Sequence, residues 1–191
     1  RLVEKGVKTA IYVNDVEYLT SFMNSRFDEF IQIEGMHILD FIIRLDHKDM
    51  IAPVLDVKFD RLKAKDQNLF LQRAIMLSIL YDSHESFKYF VDSDISLDFK
   101  YNGMSPVELI YELQSLYCLS IYLSKTRGDN VSFFNQGFAI VTDGWRHGLI
   151  NTKGEEIVKY EDGYTWLRPP SGGLIVAAKG FPMPYGAIDL E

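Results

Sequence analysis

The apolar residues of this chain keep two different rhythms, and the change between them constrains the fold more than any other feature. Up to the polar stretch Ser124-Lys125-Thr126-Arg127-Gly128-Asp129-Asn130 they recur every three or four residues; beyond it they alternate, with glycines every few positions. The first spacing lines one stripe of a helix and the second lines one face of a strand. The expected fold class is therefore α+β in two segregated parts, an α-helical part over residues 1–127 and a small antiparallel β-hairpin domain over 133–191. A length of 191 residues leaves room for two such domains.

The first part divides into short helices. Asp15 is an expected N-cap for a helix carrying Tyr18, Leu19, Phe22, Met23, Phe27 and Phe30. Others are expected over 37–45, from Asp46 through Met50, Ile51, Val54 and Leu55, and over 68–81, 83–91, 105–113 and 115–123. Pro53 would kink the third of these unless it is short. Helices this short are marginal alone and must be held by neighbours. Short helices with brief turns point to stacked helix-turn-helix units.

One such unit runs from Lys100 to Arg127. It reads Asn102-Gly103-Met104-Ser105-Pro106-Val107-Glu108-Leu109-Ile110 and then Leu116-Tyr117-Cys118-Leu119-Ser120-Ile121-Tyr122-Leu123. Gly103 permits a turn, Ser105 can cap a helix, and Pro106 stands at its first position, where the missing N–H costs nothing. This unit resembles an ankyrin repeat. Glu85 to Val91 with Ile95-Ser96-Leu97-Asp98 fits the second helix and loop of a preceding copy, and Gly35 aligns with Gly103. Two to three ankyrin-like units are expected between about 35 and 127.

In the second part, Phe138-Ala139-Ile140-Val141, Gly148-Leu149-Ile150-Asn151 and Glu156-Ile157-Val158 are expected strands, joined by turns at Asp143-Gly144 and Lys153-Gly154. Gly173-Leu174-Ile175-Val176 and the turn Lys179-Gly180 lead to a further strand. His147-Gly148-Leu149-Ile150-Asn151 returns 38 residues later as Tyr185-Gly186-Ala187-Ile188-Asp189. Residues Phe138 to Glu191 resemble WG repeats, a β-hairpin module with an aromatic-Gly-aromatic-Ile-Asp core. His147 and Tyr185 stand where the module has Trp, and Trp145 is expected to fill the first of these places.

Composition excludes several classes. With 47% apolar and 14% aromatic residues the chain can offset its ordering entropy. Cys118 has no second cysteine to pair with. No apolar run approaches the roughly 20 residues of a membrane span, and Arg1-Leu2-Val3-Glu4-Lys5 leads into no signal-type apolar stretch. With 27 acids against 20 bases the net charge is -7, and neither part is basic, so nucleic acid is not an expected partner.

At each candidate catalytic motif the plainer reading is the stronger one. Cys118 lies among Leu116, Leu119 and Ile121 and reads as a buried thiol. His37, His47, His84 and His147 have no second His or Cys at ligand spacing, so no metal is expected. Asp92-Ser93-Asp94-Ile95-Ser96-Leu97-Asp98 imitates a calcium loop, yet Leu97 and Gly103 occupy the positions that need Gly and Glu. No phosphate-binding glycine loop and no Gly-x-Ser-x-Gly elbow occurs, and Glu155-Glu156, Glu161-Asp162 and Asp28-Glu29 read as solvated acids. The chain is expected to be no enzyme and to carry no cofactor.

What remains is surface. The ankyrin resemblance implies a concave binding face before and along the first helix of each unit, which selects Asp98, Tyr101, Asn102, Glu108, Tyr111 and Glu112. Packing against a neighbouring unit is the competing role for Tyr101 and Tyr111. In the β module Trp145 and Arg146 are the expected contact residues, whereas Tyr164 and Trp166 are assigned to its core. The expected function is non-catalytic protein–protein interaction, as a cytoplasmic bacterial immunity protein neutralising a toxin domain with a basic surface. The WG-like repeats, by resemblance, are a largely bacterial feature. The alternatives are an ankyrin-type scaffold or secreted effector and, in another class, an enzyme with a cryptic carboxylate or metal site.

Overall fold

The computed structural model describes residues 2–25, 32–59, 63–93, 95–180 and 185–190. Phe27, Asp28, Glu29, Phe30 and Asp94 lie outside the described residues. The fold is mixed α+β, with eight α-helices and three small antiparallel sheets among the described residues. It divides into two compact units, Arg1–Leu113 and Gln114–Glu191.

The first unit contains α1 (Leu2–Tyr12), α2 (Val16–Asn24), a hairpin of β1 (Gln32–Ile33) and β2 (Met36–His37), and α3 (Ile38–Arg44). A 3-10 turn Lys48–Met50 leads into α4 (Ile51–Phe59), followed by α5 (Ala64–Leu80), α6 (His84–Asp92) and α7 (Pro106–Leu113). Pro53 causes no kink. The chain restarts as an α-helix at Ile51, so Pro53 falls in a first turn where N–H groups have no helical acceptor. Sequential helices pack as pairs, α1 on α2, α3 on α4 and α5 on α6, while α3 and α7 both pack on α5.

The turns inside these pairs follow one rule. Asn14, Asp46 and Asp82 adopt left-handed φ of 56°, 57° and 52°. At each, two backbone bonds close the helix end: Asn14 and Asp15 N–H to Ile11 and Ala10, Asp46 and His47 to Ile43 and Ile42, Asp82 and Ser83 to Ile79 and Ser78. This is the Schellman arrangement, which satisfies the last carbonyls of a helix. Gln114 after α7 shares the left-handed φ, at 53°, so the residues that follow α1, α3, α5 and α7 stand 32 to 36 positions apart. Glu34-Gly35 and Asn102-Gly103 also share a turn conformation, with φ of 55° and 76° and of 52° and 87°.

Helix α3 is the centre of this unit. Ile38, Leu39, Phe41, Ile42 and Ile43 are all buried, and so is Asp40, whose carboxylate is ion-paired with Arg73 of α5. A helix apolar on every side is stable only inside a core. Phe87, Phe90, Ile51, Val54 and Ile75 complete that core with no exposed surface.

The second unit contains α8 (Leu116–Arg127), β3 (Asn130–Val131), β4 (Phe138–Asp143), β5 (Arg146–Asn151), β6 (Glu156–Val158), a 3-10 turn Tyr160–Asp162, β7 (Tyr164–Leu167), β8 (Leu174–Lys179) and β9 (Tyr185–Asp189). The sheets run β3-β4-β5-β6 and β7-β8-β9. The helical rhythm stops at 127, yet the units part before α8. Serines are the reason: Ser120 Oγ donates to the Ser132 carbonyl at 3.1 Å, and Ser124 Oγ accepts the Val131 N–H at 3.1 Å, so α8 is stitched to β3.

The 38-residue sequence match is a match of register. Phe138, Ile140, Val141 and Thr142 of β4 pair with Asn151, Leu149, Gly148 and His147 of β5; Leu174, Val176, Ala177 and Ala178 of β8 pair with Asp189, Ala187, Gly186 and Tyr185 of β9. The two meanders share one core. Leu149, Val158, Leu167, Ile175 and Ala177 are buried in it, with Phe138, Ile140, Tyr164, Ile188 and Leu190 against them.

Candidate functional site

The residues selected from the ankyrin-like unit lie at the end of the first unit and divide into two kinds. Tyr101, half-buried, exchanges both backbone bonds with Met104, with Asn102 and Gly103 turning between them. Asn at a left-handed position is a structural choice, since its short polar side chain tolerates that conformation. Glu108 is also occupied. Its Oε2 accepts the Ser105 N–H at 2.7 Å and the Ser105 hydroxyl at 2.9 Å, while Ser105 Oγ accepts the Glu108 N–H at 3.3 Å. This reciprocal capping box starts α7. The bonds from Ser105, then Lys100 at 3.7 Å, hold the Glu108 carboxyl below its ordinary pKa.

Asp98, Tyr111 and Glu112 are the exposed remainder. Pro106 and Ile110 form the buried stripe of α7, and Glu108, Tyr111 and Glu112 share its other face by their spacing of three and four. The charge around them is one-sided. Between Asp82 and Leu113 there are seven acids, Asp82, Glu85, Asp92, Asp94, Asp98, Glu108 and Glu112, against only Lys88 and Lys100.

Trp145 and Arg146 belong to the second unit, Trp145 on the turn between β4 and β5 and Arg146 at the first position of β5. Trp145 is 70% exposed. It does not share the place of His147, which is half-buried and paired with Thr142. Gly144, with φ 63°, swings Trp145 outward at the hairpin tip. Arg146 is ion-paired with Asp143 and stands 5.4 Å above the Tyr160 ring, which fixes its direction. Burial pushes the His147 pKa below its ordinary 6.5, and its buried Nδ1 has no hydrogen-bond partner among the described residues.

A half-buried ionic group underlies this corner. Arg127 reaches Glu156 at 2.9 Å and Asp129 at 3.4 Å, joining the end of α8 to β6. Burial works against the Arg127 cation, but these two carboxylates outweigh it and raise its pKa. Burial, then Asp129, pushes the Tyr160 phenol up.

One surface escaped sequence reasoning. Leu174 at 46%, Val176 at 39% and Tyr185 at 68% exposure line the outer face of the second meander. Trp166, assigned to the core, is half-buried and meets Tyr185 edge-on at 5.8 Å, with the Arg168 guanidinium over its ring at 5.2 Å. The signal was present in the repeat itself. Leu174, Val176 and Ala187 are the register equivalents of Phe138, Ile140 and Leu149, which the second meander covers.

Among the described residues no three or more His, Cys, Asp or Glu side chains gather to hold a metal ion, and no helix is long and apolar enough to cross a membrane. Cys118 is buried. His37 caps α3 by accepting the Leu39 N–H on Nδ1 at 3.2 Å. An open depression between α1 and α2 brings Lys5, Asp15 and Tyr18 together over Gly6, Ala10 and Val13. Comparison with known proteins finds no family model, no curated protein and no solved structure that matches the chain.

Proposed function

We propose that the chain is a non-catalytic protein-binding protein: an ankyrin-like helical array joined to a WG-like β module, acting in the bacterial cytoplasm as an immunity protein against a toxin domain. Left-handed residues 32 to 36 positions apart, after α1, α3, α5 and α7, support the helical half of this reading, and the common register of the two meanders supports the other. The observation that carries the functional half is the imbalance of seven acids to two bases between Asp82 and Leu113, with Asp98, Tyr111 and Glu112 exposed. Such a surface selects a basic partner and speeds its approach, and an exposed tyrosine adds contact area at little entropic cost. A toxin that acts on nucleic acid would present a basic face of this kind.

The test is co-expression with the product of the adjacent gene in the native host, followed by pull-down and affinity measured against salt. Protection of the cell, with binding that weakens steeply as salt rises, is the expected result. A salt-indifferent complex removes the electrostatic part of the reading. Failure to protect, with capture of a housekeeping protein instead, replaces immunity by a scaffold role.

A further inference from the structure

The turn from Tyr101 to Met104 is built like the one at Glu34-Gly35, yet it carries different chemistry. Glu34 and Asn102 take the same left-handed φ, 55° and 52°, each ahead of a glycine. The backbone therefore does not demand an amide at this place. Glu34 spends its side chain on an ion pair with Lys8. Among the described residues the Asn102 amide has no hydrogen-bond partner, and neither has the Gly103 N–H. Both residues are exposed, and nothing lies within 4 Å of a Cβ added at Gly103.

No other asparagine combines these features. The chain has seven, and only Asn102 precedes a glycine. After Asn14, Asn24 and Asn130 the next nitrogen is bonded: Asp15 N–H to the Ala10 carbonyl at 2.8 Å, Ser25 N–H to that of Phe22 at 3.1 Å, and Val131 N–H to Ser124 Oγ at 3.1 Å. Asn68 lies inside α5. Asn135 Nδ2 donates to the Pro170 carbonyl at 3.5 Å. Both ends of the Asn151 amide are engaged, Oδ1 by the N–H groups of Lys153 and Glu155 and Nδ2 by the Glu155 carboxylate.

We propose that Asn102-Gly103 is a site of spontaneous deamidation, with water as the only co-reactant. The Gly103 nitrogen loses its proton and bonds to Asn102 Cγ. The Cγ–Nδ2 bond breaks, and ammonia leaves carrying that proton. Water then opens the five-membered imide by breaking one of its two ring C–N bonds. Opening at the side-chain carbonyl leaves an aspartyl residue. Opening at the backbone carbonyl leaves an isoaspartyl link, with one more methylene in the main chain. Glycine suits the following position because a Cβ there would crowd the attacking nitrogen. Either product adds a negative charge to a stretch with seven acids against two bases. The isoaspartyl link also lengthens a turn whose two backbone bonds, 2.9 and 3.2 Å between Tyr101 and Met104, lead into the Ser105 cap of α7. The reaction stands apart from the toxin reading; its effect on a basic partner rests on that reading.

The full chain is held at mildly alkaline pH beside the free peptide Lys100-Tyr101-Asn102-Gly103-Met104-Ser105, and both are mapped by mass spectrometry over time. Asn102 is expected to convert ahead of every other asparagine, about tenfold more slowly than in the peptide, because the turn must open for ring closure. A later-eluting species should grow on anion exchange at the same rate. Asn102→Gln should abolish it, since the longer side chain closes a six-membered ring far more slowly; Gln114 and Gln136 already hold a left-handed φ in this chain. Gly103→Ala should slow the reaction in chain and peptide alike, and the peptide keeps the comparison valid if the protein variant misfolds. Slowing of the unaltered chain by about a thousandfold or more, the mark of a turn that opens only with the whole fold, overturns the proposal. Earlier conversion of another asparagine overturns it too, as does an undiminished acidic species from Asn102→Gln.

Discussion

The Asp46 carboxylate accepts the backbone N–H of Ser86, 40 residues further along the chain, at 2.7 Å, and its other oxygen accepts that of Glu85 at 3.2 Å. Asp46 is itself the left-handed residue between α3 and the turn into α4. The turn inside one helix pair thus supplies the start of α6 in the next, satisfying two donors that α6 cannot satisfy alone. The contact is a device for stacking: it fixes the register of one pair on another with a directional bond where apolar packing alone would allow sliding.

Removal of that carboxylate is expected to cost about 1–2 kcal/mol, as for other helix caps. Asp46→Ala should show this in urea unfolding. Asp46→Asn keeps one acceptor and should lose less. Equal stability of the alanine variant and the parent would show that Glu85 and Ser86 find water instead.

The two repeat glycines should behave oppositely. Gly148→Val forces a side chain against the Val158 carbonyl and is expected to destabilise by about 2–3 kcal/mol, the usual range for overpacking. Gly186→Val, with open space around it, should stay within about 0.5 kcal/mol of the parent. Paired thermal melts of the two variants measure the difference directly.

Stability should depend on pH through His147. Burial lowers its pKa from the ordinary 6.5, so the unfolded chain binds this proton more readily than the folded one. The contribution is complete above pH 6.5 and is lost as pH falls below it. Glu108, held low by Ser105 and Lys100, follows the same sign at lower pH: present above the ordinary carboxylate range, lost as acid protonates it. His147→Phe should flatten the first slope in melts taken across that window and leave the second unchanged.

In the complex, Trp145→Ala is expected to weaken partner binding by about 2 kcal/mol, the scale of an aromatic anchor, with the melting temperature unchanged because the ring is 70% exposed. Glu112→Lys, on the acidic helix face, should slow association and shallow the salt dependence. Isothermal titration and stopped-flow measurements separate these two effects.

The parts of the fold carried by apolar period are legible in the sequence, and the parts carried by single polar residues are not. Strands β6 and β9 begin and end where the alternation does, and α6, α7 and α8 start beside Ser83, Ser105 and Ser115. Helix α1 carries Gly6 and Thr9 among short apolar steps, residues of low helix propensity that weaken its signal in the sequence. Helix α5 begins at Ala64, ahead of the expected 68, because Ala64 and Lys65 are good helix formers and Asp66 suits a first turn, yet none of them adds to the apolar period. Asn14, Asp46, Asp82 and Gln114 hold the left-handed turns that glycine usually marks, so the helix pairing is hidden in ordinary polar residues. Among the selected contact residues, Glu108 and Asn102 are spent on a cap and a turn; exposure leaves Asp98, Tyr111, Glu112 and Trp145.

Asn151 gives the repeat one more property. Its Oδ1 gathers the N–H groups of Lys153 and Glu155, at 2.9 and 3.0 Å, so one amide side chain folds the reversal that brings β6 home. Asp189 stands at the same register position in the second meander. The seating of β6 on β5 therefore hangs on one short amide at the end of β5, which acts as a clasp for the whole loop.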